Sequence, residues 1–218
     1  VWAWGLNTTV HVTDVSVENK DTEIGFGLVA DHEAVILADR VEYTSDSLSS
    51  TCAFVADGGE ITIHQSTAHV SGPYSSVFCS LGGGNALGQI HSQEVLGISK
   101  NGPGALLTGN TWLAAFTNTT LISDGPAIQS SRLGAGYLND TVVRVTSSAL
   151  TTNNPLYPVL LFLVKDIDAI IYRSELTPSA SNLLLQTGCS NSAQSGACLP
   201  FQAMVLVSES KIVGDIQA

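Results

Sequence analysis

From residue 2 to residue 12, apolar and polar positions alternate without a break. Trp2, Trp4, Leu6, Thr8, Val10 and Val12 fall on one side, and Ala3, Gly5, Asn7, Thr9 and His11 on the other. A period of two predicts a strand with one apolar face. Two of the three tryptophans are spent on that face, and each indole buries on the order of 200 Å² when covered. The pattern therefore predicts a partner for the first strand, in its own subunit or in a neighbour.

Beyond it, short apolar runs rich in Val, Ile and Thr are closed by Gly, Asn, Asp, Pro or Ser, the pattern of many short strands. The candidates are Glu23–Ala30, Ala34–Asp39, Val41–Thr44, Cys52–Ala56, Glu60–His64, Ser76–Ser80 and Glu94–Ser99, then Ala105–Thr108, Thr111–Phe116, Thr141–Thr146, Val159–Val164, Ala169–Tyr172, Leu183–Thr187, Phe201–Ser208 and Lys211–Val213. Turn signals separate them at Asp57-Gly58-Gly59, Gly82-Gly83-Gly84-Asn85, Asn101-Gly102-Pro103-Gly104 and Asp124-Gly125-Pro126. Strands this short and closely spaced predict an all-β fold, a β-sandwich of jelly-roll or Ig-like type. Its expected division is a donor strand over residues 1–12 and one sandwich domain over 13–218, with a subdomain boundary near 147–155. No internal repeat stands out.

Charge narrows the partners. The chain carries a formal charge of −11 with eight basic residues scattered singly, so it offers no phosphate-neutralising stripe, and nucleic acid is not an expected partner. No apolar run approaches the roughly 20 residues of a membrane helix. An opening at Val rather than Met predicts a mature secreted chain, and four cysteines agree, with Cys52–Cys79 and Cys189–Cys198 the favoured disulfides of an extracellular protein.

Candidate chemistry is sparse. His64 and His69 flank a turn, and Asp31-His32-Glu33 places an imidazole between two carboxylates, but both read equally as polar loop chemistry. A hard-cation site for calcium from Asp14, Glu18, Asp21 and Glu23 competes with a solvated acidic face. No metal or cofactor is assigned. There is no G-x-S-x-G elbow, H-E-x-x-H helix or phosphate loop, so no catalytic residue, enzyme activity or small-molecule substrate is expected. Glycosylation sequons stand at Asn7, Asn118 and Asn139.

A strand with one continuous apolar face suits β-strand addition, and exchange that does not close into a ring builds a filament. In its stretch from Val1 to Val12, its low charge, its Ser/Thr/Asn-rich strands and its sequons, the chain resembles subunits of archaeal extracellular filaments, the threads and bundling pili joined by donor strands. The resemblance implies a non-catalytic structural subunit of a cell-surface appendage, a homopolymer assembled head to tail through Trp2, Trp4, Leu6, Thr8, Val10 and Val12. Two other classes are a monomeric carbohydrate-binding or adhesin module, expected to carry an aromatic platform with Trp112 and Tyr74, and a viral jelly-roll coat protein.

Overall fold

In the computed structural model the chain winds into a β-solenoid. The structure describes residues 1–20, 23–81, 87–108, 111–131, 141–163, 167–179, 183–187 and 203–217. In chain order the strands are β1 (Trp2–Trp4), β2 (Thr9–Asn19), β3 (Ile24–Asp31), β4 (Val35–Ser45), β5 (Ser49–Ala56), β6 (Glu60–His64), β7 (Thr67–Val70) and β8 (Ser76–Leu81). They continue with β9 (Gly88–Gln93), β10 (Leu96–Ser99), β11 (Ala105–Thr108), β12 (Thr111–Thr117), β13 (Thr120–Ser123), β14 (Ile128–Ser131), β15 (Thr141–Thr146) and β16 (Ala149–Thr152). The last are β17 (Leu160–Phe162), β18 (Ile167–Tyr172), β19 (Glu175–Thr177), β20 (Leu183–Thr187), β21 (Ala203–Ser208), β22 (Lys211–Ile212) and β23 (Asp215–Gln217).

All of the pairings are parallel, and each joins a strand to its counterpart one coil away. One sheet runs β1-β3-β5-β8-β11-β14-β17-β20-β23; a second, of 14 strands, is continuous through β4. The second sheet forms two faces of the coil, because β2 and β4 are long strands bent in the middle while later coils split there into two. A cross-section is thus three-sided: face A (β3, β5, β8 and so on), face B (first half of β4, β6, β9, β12) and face C (second half of β4, β7, β10, β13).

This replaces the expected sandwich. Sandwich strands pair antiparallel within each sheet, whereas here the strands pair parallel and the partners in hydrogen bonds between coils, such as Ser50–Ser75, Thr119–Ser148 and Ser174–Ser210, lie 25, 29 and 36 residues apart. Many expected strands do form, and the stretch 147–155 contains β16. Among the described residues no helix is long and apolar enough to cross a membrane.

The core is built by stacking like on like. Ile36, Ile61, Ile90, Ala114 and Val143 form one inward row on face B, and Leu28, Ala53, Phe78, Ala105 and Ile128 one on face A, all essentially buried. Large and small residues alternate where rows would collide: a Cβ on Gly97 would overlap Leu121 and Val77, and Phe78 meets Phe116 edge-on across the core at 5.6 Å.

The bend between faces B and C falls on Asp14, Arg40, Gln65, Glu94, Asn118, Ser147, Arg173 and Glu209, every one with positive φ between 45° and 56°. None is β-branched, as the left-handed conformation demands. Several of the residues that follow are hydroxylated: Ser66, Thr119, Ser148, Ser174 and Ser210. Ser148 Oγ donates to the Thr146 carbonyl (2.8 Å) and accepts the Thr119 N–H (3.0 Å) from the coil before. Ser174 and Ser210 repeat the pattern. These hydroxyls satisfy the backbone groups that the corner removes from the sheet.

Candidate functional site

The corner joining face C to face A gathers aromatic and amide side chains from four successive coils. Successive coils turn there on Gly72-Pro73-Tyr74-Ser75, Asn101-Gly102-Pro103-Gly104, Asp124-Gly125-Pro126-Ala127 and Asn153-Asn154-Pro155-Leu156-Tyr157. In the first, Ser75 N–H donates to the Gly72 carbonyl (3.3 Å), a β-turn with proline in its favoured second place. In the last, Tyr157 N–H donates to the Asn154 carbonyl (3.2 Å) and Leu156 N–H to Asn154 Oδ1 (3.0 Å), which again puts proline second. Glycine precedes three of these prolines because the turns press backbone on backbone. A Cβ on Gly72 would overlap the Ser47 carbonyl oxygen, and one on Gly102 that of Ser75.

Stacked this way, the turns wall a groove of about 820 Å³ that crosses the coils along the solenoid axis. Leu106 of β11 and Gln129 of β14, paired in register on the outer side of face A, line its floor. Tyr74 and Tyr157 stand toward its two ends, Tyr74 with 76% of its surface exposed. Asn101, Asp124, Asn153 and Asn154 supply polar edges. Asn153 Nδ2 donates to Asp124 Oδ1 (3.4 Å), and Asn101 Nδ2 to the Ser71 carbonyl (2.9 Å). From the coil of Tyr74 to that of Tyr157 is three strand spacings, about 14 Å. A smaller concavity of about 430 Å³ at the B–C corner involves Arg173, Glu175, Glu209 and Lys211. Its charges neutralise one another as Arg173–Glu209 (2.7 Å) and Lys211–Glu175 (2.6 Å).

The first twelve residues take a different shape from the expected strand. Gly5 (φ 98°) and Asn7 (φ 63°) turn the chain between β1 and β2, so the apolar face divides. Val12 is buried and Val10 packs against the core, whereas Trp2 and Trp4 are 70% and 62% exposed and Leu6 stands out in the turn; Ala3 is the buried member of β1. Trp2 registers with Val29 and Trp4 with Asp31 on the chain's own β3, and Thr8 Oγ1 closes the turn on the Trp4 carbonyl (3.1 Å).

Cys52 and Cys79 are free thiols, not a disulfide. Cys52 belongs to the core cluster, while Cys79 is outside it and pairs with Phe54 and Leu106. Burial pushes both thiols up to about 12. The inference of an oxidising compartment thus loses this pair; Cys189 and Cys198 lie outside the described residues. Of the sequons, Asn7 and Asn118 are exposed at corners, and Asn139 lies outside the described residues.

Asp31 and His32 do come together, with a hydrogen bond of 2.8 Å, but their third acidic neighbour is Asp57 of the next coil and not Glu33. His64 bonds Asp39 (3.0 Å) on face B, and His69 lies past the corner on face C. Asp14 is engaged by Arg40 and Glu18 by Lys20, so the four-residue calcium set does not assemble among the described residues; Asp21 is not among them. Tyr74 does join an aromatic groove, with Tyr157 as partner; Trp112 is in β12. The signal for the groove was in the chain as the spaced Gly-Pro pairs at 72–73, 102–103 and 125–126. No protein family, curated protein or solved structure matches this chain.

Proposed function

We propose that the chain is a non-catalytic recognition module that holds a glycan chain along the groove of the C–A corner. The observation that carries this reading is the lining itself. Two tyrosines toward opposite ends offer flat apolar faces, and five amide or carboxylate side chains along the groove offer donors and acceptors for sugar hydroxyls. Its volume falls within the roughly 300–1,000 Å³ usual for ligand sites. Turnover is disfavoured because the two-carboxylate route of glycoside hydrolysis needs a pair about 5–9.5 Å apart, and Asp124 is the one carboxylate among the described lining residues. The test is binding of labelled protein to an array of plant, algal and microbial oligosaccharides, repeated with Tyr74→Ala. Retention of at least one glycan series, weakened about tenfold or more by the substitution as expected for an aromatic anchor that the ligand covers, supports the reading; no glycan bound, or binding indifferent to Tyr74, refutes it.

A homopolymer of the extracellular-filament kind is a second reading, favoured by the outward indoles of Trp2 and Trp4. It predicts concentration-dependent association in sedimentation that Trp2→Ala with Trp4→Ala abolishes. A monomer at every concentration sets it aside.

A further inference from the structure

We infer that the groove selects uncharged glycans and that Asp124 is the residue that rejects uronates; this rests on the glycan reading of the groove. The described lining residues include no Lys, Arg or His. Lys100, which stacks beside Asp124 one coil earlier, is the nearest cation in the register and lies outside that lining, so a carboxylate on the ligand would meet no counter-charge among the groups that line the groove. It would meet Asp124 instead, placed at the third of the four turns, between the coils of Tyr74 and Tyr157. Asp124 is held in position from two sides: its N–H donates to the Ser99 carbonyl (3.0 Å), and its Oδ1 accepts the Asn153 amide (3.4 Å). No ion pair neutralises it among the described residues. Asn153 carries no charge, so Asp124 keeps its own and still accepts hydroxyl protons from a neutral sugar. The chain's formal charge of −11 adds repulsion at longer range. A uronate chain spanning the groove would therefore set carboxylate against carboxylate in a partly enclosed trench, where screening by water is weakest.

The experiment compares each acidic oligosaccharide, such as an oligogalacturonate, with its carboxyl-reduced counterpart by calorimetric titration at low salt. The protein is used as wild type, as Asp124→Asn, and as Glu33→Gln, an equal charge change at the A–B corner. Wild type is expected to bind the reduced form at least tenfold more tightly than the acid. Asp124→Asn is expected to shrink that ratio below threefold, and Glu33→Gln to leave it in place. Equal or tighter binding of the acid by wild type overturns the inference while leaving the glycan reading intact. A ratio unchanged in Asp124→Asn, or abolished equally by Glu33→Gln, overturns Asp124 as the determinant. Failure of every oligosaccharide to bind defeats the glycan reading itself.

Discussion

Replacing Ser148 by alanine tests the rule by which the coils are stacked. Ser148 is buried, and its hydroxyl donates to the Thr146 carbonyl (2.8 Å) while accepting the N–H of Thr119 (3.0 Å), a residue with no exposed surface. Alanine keeps the backbone and nearly the volume, but strands the Thr119 N–H where neither water nor another acceptor reaches it. A buried donor left unpaired costs about 1–3 kcal/mol. Adding the lost bond to Thr146, we expect about 2–3 kcal/mol. For a chain of this size that lowers the melting temperature by about 4–12 °C. Because solenoids can open coil by coil, the more direct assay is amide hydrogen exchange at Thr119. At tenfold per 1.4 kcal/mol, exchange there should accelerate about 30- to 150-fold, while an exposed control, Ser16→Ala on β2, stays within about 0.5 kcal/mol. Unchanged exchange at Thr119 in Ser148→Ala would refute the claim that hydroxyls complete the corner.

Three further outcomes are expected. Gly102→Ala, whose new methyl would overlap the Ser75 carbonyl, should destabilise by ~2 kcal/mol or more and remove glycan binding, read by denaturant titration and calorimetry. Cys52 and Cys79, as buried thiols raised to about 12, should resist a thiol reagent in the native protein and react on unfolding; rapid native labelling of either residue would contradict their placement. Asp14 and Glu209 are held below the ordinary carboxylate range by hydrogen bonds from Arg40 and Arg173. Groups with a depressed folded pKa add stability above their unfolded value of about 4 and lose it as pH falls through the folded one. Asp14→Asn with Glu209→Gln should therefore flatten the stability profile below about pH 4 without changing its shape at neutral pH. Since both groups are solvent-exposed, the change should be small.

Strand identity was legible in the chain because alternation is local: Glu60–His64, Ala105–Thr108, Thr141–Thr146 and Leu183–Thr187 form as the pattern predicts. Which strand pairs with which was not, because a run such as Glu-Ile-Thr-Ile-His alternates in the same way in a sandwich and in a coil. The deciding information is the recurrence of equivalent positions at uneven intervals, from 25 to 36 residues, which a search for a fixed period does not find. The hydroxyls after five of the eight B–C corners and the Gly-Pro pairs at the C–A corner carry that recurrence. The first strand misled for a related reason: Gly5 and Asn7 can both take positive φ, and a turn there transfers Val10 and Val12 to the core while leaving the indoles outside. Half of the groove was visible as Tyr74. Tyr157 follows the stretch 147–155 expected as a boundary, and nothing local hints that it shares a groove with residues about 80 positions earlier, because solenoid stacking alone brings them together.

On the proposed reading, four turns far apart in sequence form one glycan-binding surface. Hydrogen exchange measured by mass spectrometry, with and without the tightest glycan from the array, tests it most directly. The account predicts simultaneous protection of residues 72–75, 101–104, 124–127 and 153–157, with the B–C corner at 118, 147 and 173 unchanged. Protection of a single turn, of the first twelve residues, or of the B–C corner in place of these four would contradict it.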